Sequence, residues 1–372
     1  MIKWIETTGR SEEDAIAAAL FQLGLDRDDV SVEVIERAKS GFLGFGGNPA
    51  KVRVSYEVPD EKEPAATAPE KEEVRTVEAP KAQPAAAPQQ KEQAELEPGD
   101  EVIIPTPCFV CYGPLVEMCH GVPVYLETKA EDNFKLTADD LRAAVTPKTK
   151  LLVLPFPNNP TGAIMTREDL EAIAQVLRGT NILVLSDEIY AELTYGRRHV
   201  SIASLDGMAE RTILASGFSK AYAMTGWRLG YIAAPAPLTK QMLKIHQYAV
   251  MCAPTTSQFA AIEAMRNGDE DIKYMVDEYN RRRRYIVQGL RDIGLACFEP
   301  EGAFYVFPKI SGYGLTSDEF CERLLYENQV AIVPGTAFGS SGEGFARISY
   351  AYSVKHITQA LERIGDFVAR LR

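Results

Sequence analysis

The sequence predicts an α/β protein in three folded parts. These are a large, mostly parallel sheet sandwiched by helices, a smaller C-terminal α+β domain, and a separate small α/β domain at the N-terminus. Three observations predict it. Apolar runs in the second half are continuous and alternate with helical patterns, as strands covered on both faces do. The first stretch carries strand and helix periods of its own. Between the two lies a run of Ala, Pro, Glu, Lys and Gln almost free of large apolar residues. The expected boundaries are 1–58, 59–96, 97–280 and 281–372.

In the first part Ile2–Thr7 reads as a strand. Ser11, with Asp14 three residues on, reads as a helix N-cap with an acidic first turn. Ala15, Ile16, Ala19, Leu20 and Leu23 follow at helical spacing. Val30–Ile35 and Ala50–Val58 read as strands joined across a Lys39–Gly47 loop, whose Phe42 and Phe45 either pin the turn to the sheet or offer a docking surface. Residues 59–96 cannot bury enough apolar surface to offset the entropy of ordering, so they read as a flexible linker.

Six apolar runs then read as strands of the large sheet: Glu101–Ile104, Val122–Leu126, Leu151–Pro155, Ile182–Ser186, Arg211–Ala215 and Trp227–Ala233. A long helix through Tyr279–Tyr285 leads into the smaller domain. Its expected strands are Cys297–Phe298, Gly302–Phe307, Val330–Val333 and Ala346–Tyr350, with helices at Ser317–Asn328 and Val354–Leu371.

The chain has 372 residues and a formal net charge of −12, which disfavours nucleic acid and anionic membrane as partners. The clearest basic run, Arg281–Arg284, reads as a solvated helix face. Six cysteines belong to no small stapled domain and read as reduced thiols. Cys108 and Cys111 form a single C-x-x-C, and the four histidines lack ligand spacing, so no metal site is expected. The N-terminus lacks the apolar region of a signal peptide, and no apolar run is long enough to span a bilayer. A cytoplasmic protein is expected.

Four motifs fall at strand ends or in the loops that follow, where an open α/β sheet places its ligands. They are Pro157-Asn-Asn-Pro-Thr-Gly162, Leu185-Ser-Asp-Glu-Ile-Tyr190, the run Ser216–Arg228 around Ser219-Lys220, and Phe345-Ala-Arg-Ile-Ser-Tyr350. Together they resemble the class I/II aminotransferases of the fold-type I pyridoxal-phosphate (PLP) family, over residues 97–372.

The resemblance implies a role for each residue. Lys220 carries the cofactor as a Schiff base and, freed by the substrate, moves the α-proton; an amine must be neutral for either task, and a cationic pocket favours that. Asp187 pairs with the pyridine nitrogen and keeps it protonated. Tyr190 and Asn159 bond the cofactor's phenolic oxygen, and Phe109 stacks on its ring. Arg228 holds the phosphate, with Ser219 or Ser216 adding a hydroxyl. Many relatives have a serine three residues before the lysine, where this chain has Gly217. Arg347 grips the substrate α-carboxylate, with Asn159 beside it; Tyr305 and Phe338 line the substrate pocket.

The implied reaction moves an amino group between an L-amino acid and a 2-oxo acid in a homodimer. No arginine lies near Tyr248–Pro254, where dicarboxylate-specific relatives place one, which favours a neutral or aromatic amino acid. A PLP-dependent lyase and an impaired enzyme serving as a scaffold are the alternatives.

The first part resembles the N-terminal domain of Jag, the SpoIIIJ-associated protein, through Lys3–Gly9, Glu12–Leu25 and Lys39–Val54. In that family the domain precedes a KH domain and a second module that binds single-stranded nucleic acid. Neither follows the linker here, so the resemblance implies a docking domain and not RNA binding. Aminotransferase relatives carry, before the run matching Glu97–Val102, an arm, part of the small domain and a glycine/serine-rich turn that cradles the phosphate. The expectation is therefore an aminotransferase truncated at its N-terminus behind a Jag-like domain, with Arg228 left to grip the phosphate weakly.

Overall fold

The structure, a computed structural model, describes residues 2–9, 11–23, 30–36, 50–57 and 98–371. The expected Lys39–Gly47 loop and the 59–96 linker lie outside them. The chain divides into two compact units, Met1–Gln89 and Gln90–Arg372.

In the first unit, strands β1 (Ile2–Gly9), β2 (Val30–Glu36) and β3 (Ala50–Glu57) form an antiparallel sheet in the order β1-β3-β2. Helix α1 (Glu12–Leu23) begins where Ser11 Oγ accepts the Asp14 amide at 3.0 Å, the cap expected from the sequence. Ala15 and Ala19 let α1 lie close on Val52 and Val54, with Ile5, Ile16, Leu23, Val30 and Val32 around them. Trp4 is exposed under the Arg53 guanidinium, 4.7 Å from the ring centre.

The second unit is built on a six-stranded sheet in the order β5-β4-β6-β7-β8-β9. Its strands are β4 (Glu101–Thr106), β5 (Val122–Glu127), β6 (Thr149–Leu154), β7 (Leu183–Asp187), β8 (Thr212–Gly217) and β9 (Gly230–Ala233). The first five pair in parallel; β9 joins antiparallel to β8. The chain steps from β4 outward to β5 and then to β6 on β4's other side, which opens a crevice at the carboxyl ends of the strands. Ile103, Leu152, Leu154 and Val184 pack beneath α4 (Arg167–Leu177), whose Ile173, Ala174 and Leu177 are buried. That helix starts in a capping box, Thr166 with Asp169.

Helix α7 (Asp269–Asp292) leads to the smaller layer, where β10 (Tyr305–Val306), β12 (Ala346–Ser349) and β11 (Val333–Pro334) form an antiparallel sheet. Helices α8 (Ser317–Asn328) and α9 (Val354–Leu371) cover it. In α9, Ile357, Leu361, Ile364, Phe367 and Val368 make one buried stripe at helical spacing.

Several expectations need correction. The Trp227–Ala233 run becomes a strand only at Gly230, because Trp227 closes a tight turn and Arg228 turns left-handed, with φ 53°. Gly302–Phe307 and Val330–Val333 shrink to the two-residue strands β10 and β11, and Cys297–Phe298 makes only an isolated bridge, Cys297 to Pro308. The Arg281–Arg284 run is not wholly solvated. Arg283 lies over Tyr195 and bonds Glu299 and the Pro300 carbonyl, with its side chain 11% exposed.

No helix among the described residues is long and apolar enough to cross a membrane, and no described cluster of three or more His, Cys, Asp or Glu is placed to hold a metal.

Candidate active site

The carboxyl ends of β4, β6, β7 and β8 open on a cavity of about 600 Å³. After β4, Phe109 stands 45% exposed at its wall, and Tyr112 begins helix α2 (Tyr112–Met118). After β6 comes the asparagine loop. Asn158 organises it: its Oδ1 accepts from the Thr161 amide and hydroxyl, and its Nδ2 donates to the Pro107 carbonyl. That frees Asn159 to face the cavity. Gly162 closes the loop at φ +75°; a Cβ there would come within 2.3 Å of Pro300 Cβ.

Asp187 ends β7. Its Oδ1 accepts the Ile189 amide at 3.1 Å and its Oδ2 the Tyr112 hydroxyl at 2.5 Å. Three residues on, the Tyr190 hydroxyl meets that of Tyr305 at 3.1 Å. Burial, with Tyr305 beside it, pushes the Tyr190 phenol well above its ordinary range, so it stays a neutral donor. Ser216 stands near the end of β8, Ser219 and Lys220 follow it, and Arg228 precedes β9.

Lys220 Nζ lies 5.7 Å from the ring centres of both Tyr190 and Phe304. Burial lowers its pKa, and the positive charges of Arg347 and Arg228 lower it further. Arg347, from β12, is held between Tyr305 and Phe338 at 4.6 and 4.7 Å. Its Nη1 donates to Asn159 Oδ1 at 2.9 Å, while its Nε is buried with no partner. Burial lowers this guanidinium's pKa too.

Lys220, Asp187, Tyr190, Asn159, Phe109, Arg228, Ser219 and Arg347 thus all line one cavity, together with Ser216 and Tyr305. Phe338 lines the neighbouring cavity and reaches the site through its stack on Arg347. Gly217 has a steric reason: a Cβ there would sit 2.8 Å from Gly230 Cα, so close pairing of β8 with β9 leaves no room for a serine. Tyr112 and Phe304 escaped the reading of the sequence. Tyr112 stands in the Pro107–Tyr112 run three residues after Phe109, but nothing local ties it to a carboxylate 75 residues away.

The family model described as aminotransferase class I and II matches residues 85–364. The chain belongs to the class I and II aminotransferases. Members of this family work with PLP and act on amino and oxo acids. The Jag N-terminus model matches residues 7–56.

YugH of Bacillus subtilis (strain 168) is 52% identical to this aminotransferase over 276 residues, 74% of this chain and 72% of YugH. The aspartate aminotransferase of Pyrococcus abyssi is 46% identical over 274 residues, 73% of this chain and 70% of that one. Among solved structures, the aromatic aminotransferase from Pyrococcus horikoshii OT3 superposes with a TM-score of 0.73 at 46% identity, covering 75% of this chain and 76% of that one.

PLP has an anion at one end, a basic ring nitrogen at the other and an aldehyde between. The cavity offers the Arg228 guanidinium with the Ser219 hydroxyl, a carboxylate, and an amine of lowered pKa. The buried, unpartnered Nε of Arg347 is a vacant donor suited to a carboxylate. These residues fit the group.

Proposed function

We propose that this aminotransferase holds PLP in the cavity and moves amino groups from a neutral or aromatic L-amino acid to a 2-oxo acid. The observation that carries the reading is the convergence of Lys220, Asp187, Arg228 and Arg347 on one cavity.

When bound, PLP supplies an electrophilic carbon and a ring that draws electrons from the substrate. Asp187 holds a proton on the ring nitrogen; its Oδ2 is already fixed by Tyr112. Arg228, with Ser219, would bind the phosphate, since the Ser216 hydroxyl already donates to the Glu188 carbonyl. Tyr190 and Asn159 would hydrogen-bond the ring oxygen, and Phe109 would pack against the ring. Arg347 binds the α-carboxylate, turned toward it by Asn159 and the two aromatic rings. Lys220 Nζ would take the α-proton from the substrate and pass it on to the electrophilic carbon, a task that the lowered pKa assists at neutral pH.

The neutral or aromatic preference is supported by the absence of arginine from Tyr248–Pro254 and from the walls of the cavity apart from Arg228 and Arg347. A homodimer, a cytoplasmic location, and division of the second unit into a large part, 97–280, and a small part, 281–372, belong to the same reading. A cluster of Ile286, Leu290, Phe320, Leu324, Ile364 and Phe367 supports a separate core for the small part.

The test is a donor screen with 2-oxoglutarate on the PLP-saturated chain. The reading expects phenylalanine and leucine to exceed aspartate by at least about tenfold in kcat/KM, the effect of roughly 1.4 kcal/mol. Aspartate as the best donor contradicts the substrate assignment. Pyruvate and ammonia from serine, without amino transfer, contradict the reaction.

A further inference from the structure

The acid that follows Asp187 has no part in the reading above. Glu188 is 4% exposed, yet every side-chain oxygen is engaged. Oε1 accepts from Ser186 Oγ at 2.9 Å and Ser201 Oγ at 2.6 Å, and Oε2 meets His199 Nε2 at 2.9 Å. Burial alone raises its pKa, but the bonds from His199 and Ser201 outweigh burial and keep the group below the usual carboxylate range.

Its main chain is tied just as closely. Regular pairing of β7 with β8 stops at Asp187 and Ala215. Glu188 extends the seam: its N–H donates to the Ala215 carbonyl at 2.8 Å, and its carbonyl accepts Ser216 Oγ at 3.2 Å. One residue is therefore joined to Asp187 through the chain and, through the two peptides that flank its Cα, to Ala215 and Ser216 by hydrogen bonds. Successive side chains of a strand point to opposite faces, so Asp187 faces the cavity while Glu188 points away from it. None of Ser186, His199 and Ser201 lines the cavity. Ser201 in turn caps the short helical turn Ile202–Ser204, which anchors this hub in the scaffold.

We propose that Glu188, locked by Ser186, His199 and Ser201, is a positioning residue that sets the spacing between Asp187 and Ser216. The inference rests on the cofactor reading, in which Asp187 serves one end of PLP and the segment that Ser216 anchors brings Ser219 and Lys220 to the rest of it. A shift of the Glu188 main chain would move the Asp187 carboxylate and the Ser216 backbone together, and a site of this kind tolerates only about 0.5 Å of error.

The experiment compares E188A and E188Q with R211A. Arg211 bonds the carbonyls of Leu177 and Ile182 and the Thr180 hydroxyl at the far end of β7, so its loss weakens the same strand away from the cavity. Two readouts are taken: hydrogen exchange in the 186–192 segment of the chain without cofactor, and PLP affinity with the pH profile of the bound cofactor's colour.

E188A is expected to exchange at least about tenfold faster in that segment, and to lose roughly 10- to 100-fold in PLP affinity with a shifted colour profile. R211A, matched for Tm loss, is expected to show neither effect, and E188Q, which keeps an acceptor for the serines, to recover most of both. Equal exchange and equal affinity in E188A and R211A overturn the proposal. Should E188A not fold, S201A carries the same expectation with a smaller loss, and unchanged exchange in S201A overturns the proposal. A wild-type chain that takes up no PLP overturns the cofactor reading, and the exchange comparison still decides this one.

Discussion

Arg347 Nη1 donates to Asn159 Oδ1 across 2.9 Å, joining β12 of the small layer to the loop after β6, 188 residues earlier. The Tyr305 and Phe338 rings lie 4.6 and 4.7 Å from the guanidinium carbon, and its buried Nε has no partner. The group is oriented before a ligand arrives, so little side-chain freedom is left to lose on binding.

Replacing Arg347 by lysine is expected to lower kcat/KM for the amino acid by roughly 100-fold, or about 3 kcal/mol for a lost two-pronged charged pair. PLP affinity should be nearly unchanged. Steady-state kinetics and a PLP titration on one preparation check both. Equal losses in the two would place Arg347 at the cofactor instead of the substrate.

Tyr112→Phe removes the donor to Asp187 Oδ2 and leaves the ring packing in place. A hydrogen bond to a charged group contributes about 1.5–3 kcal/mol, so urea unfolding is expected to show a loss in that range. The variant should also shift the pH at which bound cofactor changes colour. Unchanged stability with an unchanged profile would show that the bond does nothing for either property.

Lys220 titrates below its ordinary 10.5 in the folded chain. In the window between that lowered value and 10.5, the unfolded chain binds more protons than the folded one, so stability from this group rises with pH. At lower pH the amine is charged in both states, and the folded state carries the full penalty of holding it near Arg347 and Arg228. Denaturant unfolding without cofactor, wild type against Lys220→Met, should give a difference that narrows as pH rises through the lowered pKa. A difference independent of pH would remove the electrostatic account of this lysine.

Gly217→Ser would place a side chain against Gly230 Cα and the Leu229 carbonyl. Overpacking of this kind typically costs about 1–3 kcal/mol, and here it should loosen β9 and Arg228 with it. A lower Tm and weaker PLP binding are expected together. A stabilised, tighter-binding variant would show that the β8–β9 seam gives way easily.

Much of this architecture was legible because local chemistry and tertiary packing agree. Helix α8 starts where Thr316 and Glu319 form a capping box, and α9 carries one apolar stripe, so both helices lie at the residues expected. Three of the motifs were legible because each sits at or just past the carboxyl end of a strand of the large sheet, while the fourth is β12 itself, which brings Arg347 to the same cavity. What was lost depends on distant partners. The left-handed turn at Arg228 delays β9 by three residues, and Arg283 is drawn inward by Glu299 and Pro300. Tyr112 and Glu188 become meaningful only when the fold brings them to Asp187 and Ser216.

The most direct test of the central claim is to saturate the chain with PLP, reduce with borohydride and map the modified peptide. The account predicts one pyridoxyl group per chain, on Lys220, and none in Lys220→Ala. Modification spread over exposed lysines such as Lys148 and Lys240, undiminished in Lys220→Ala, would contradict it.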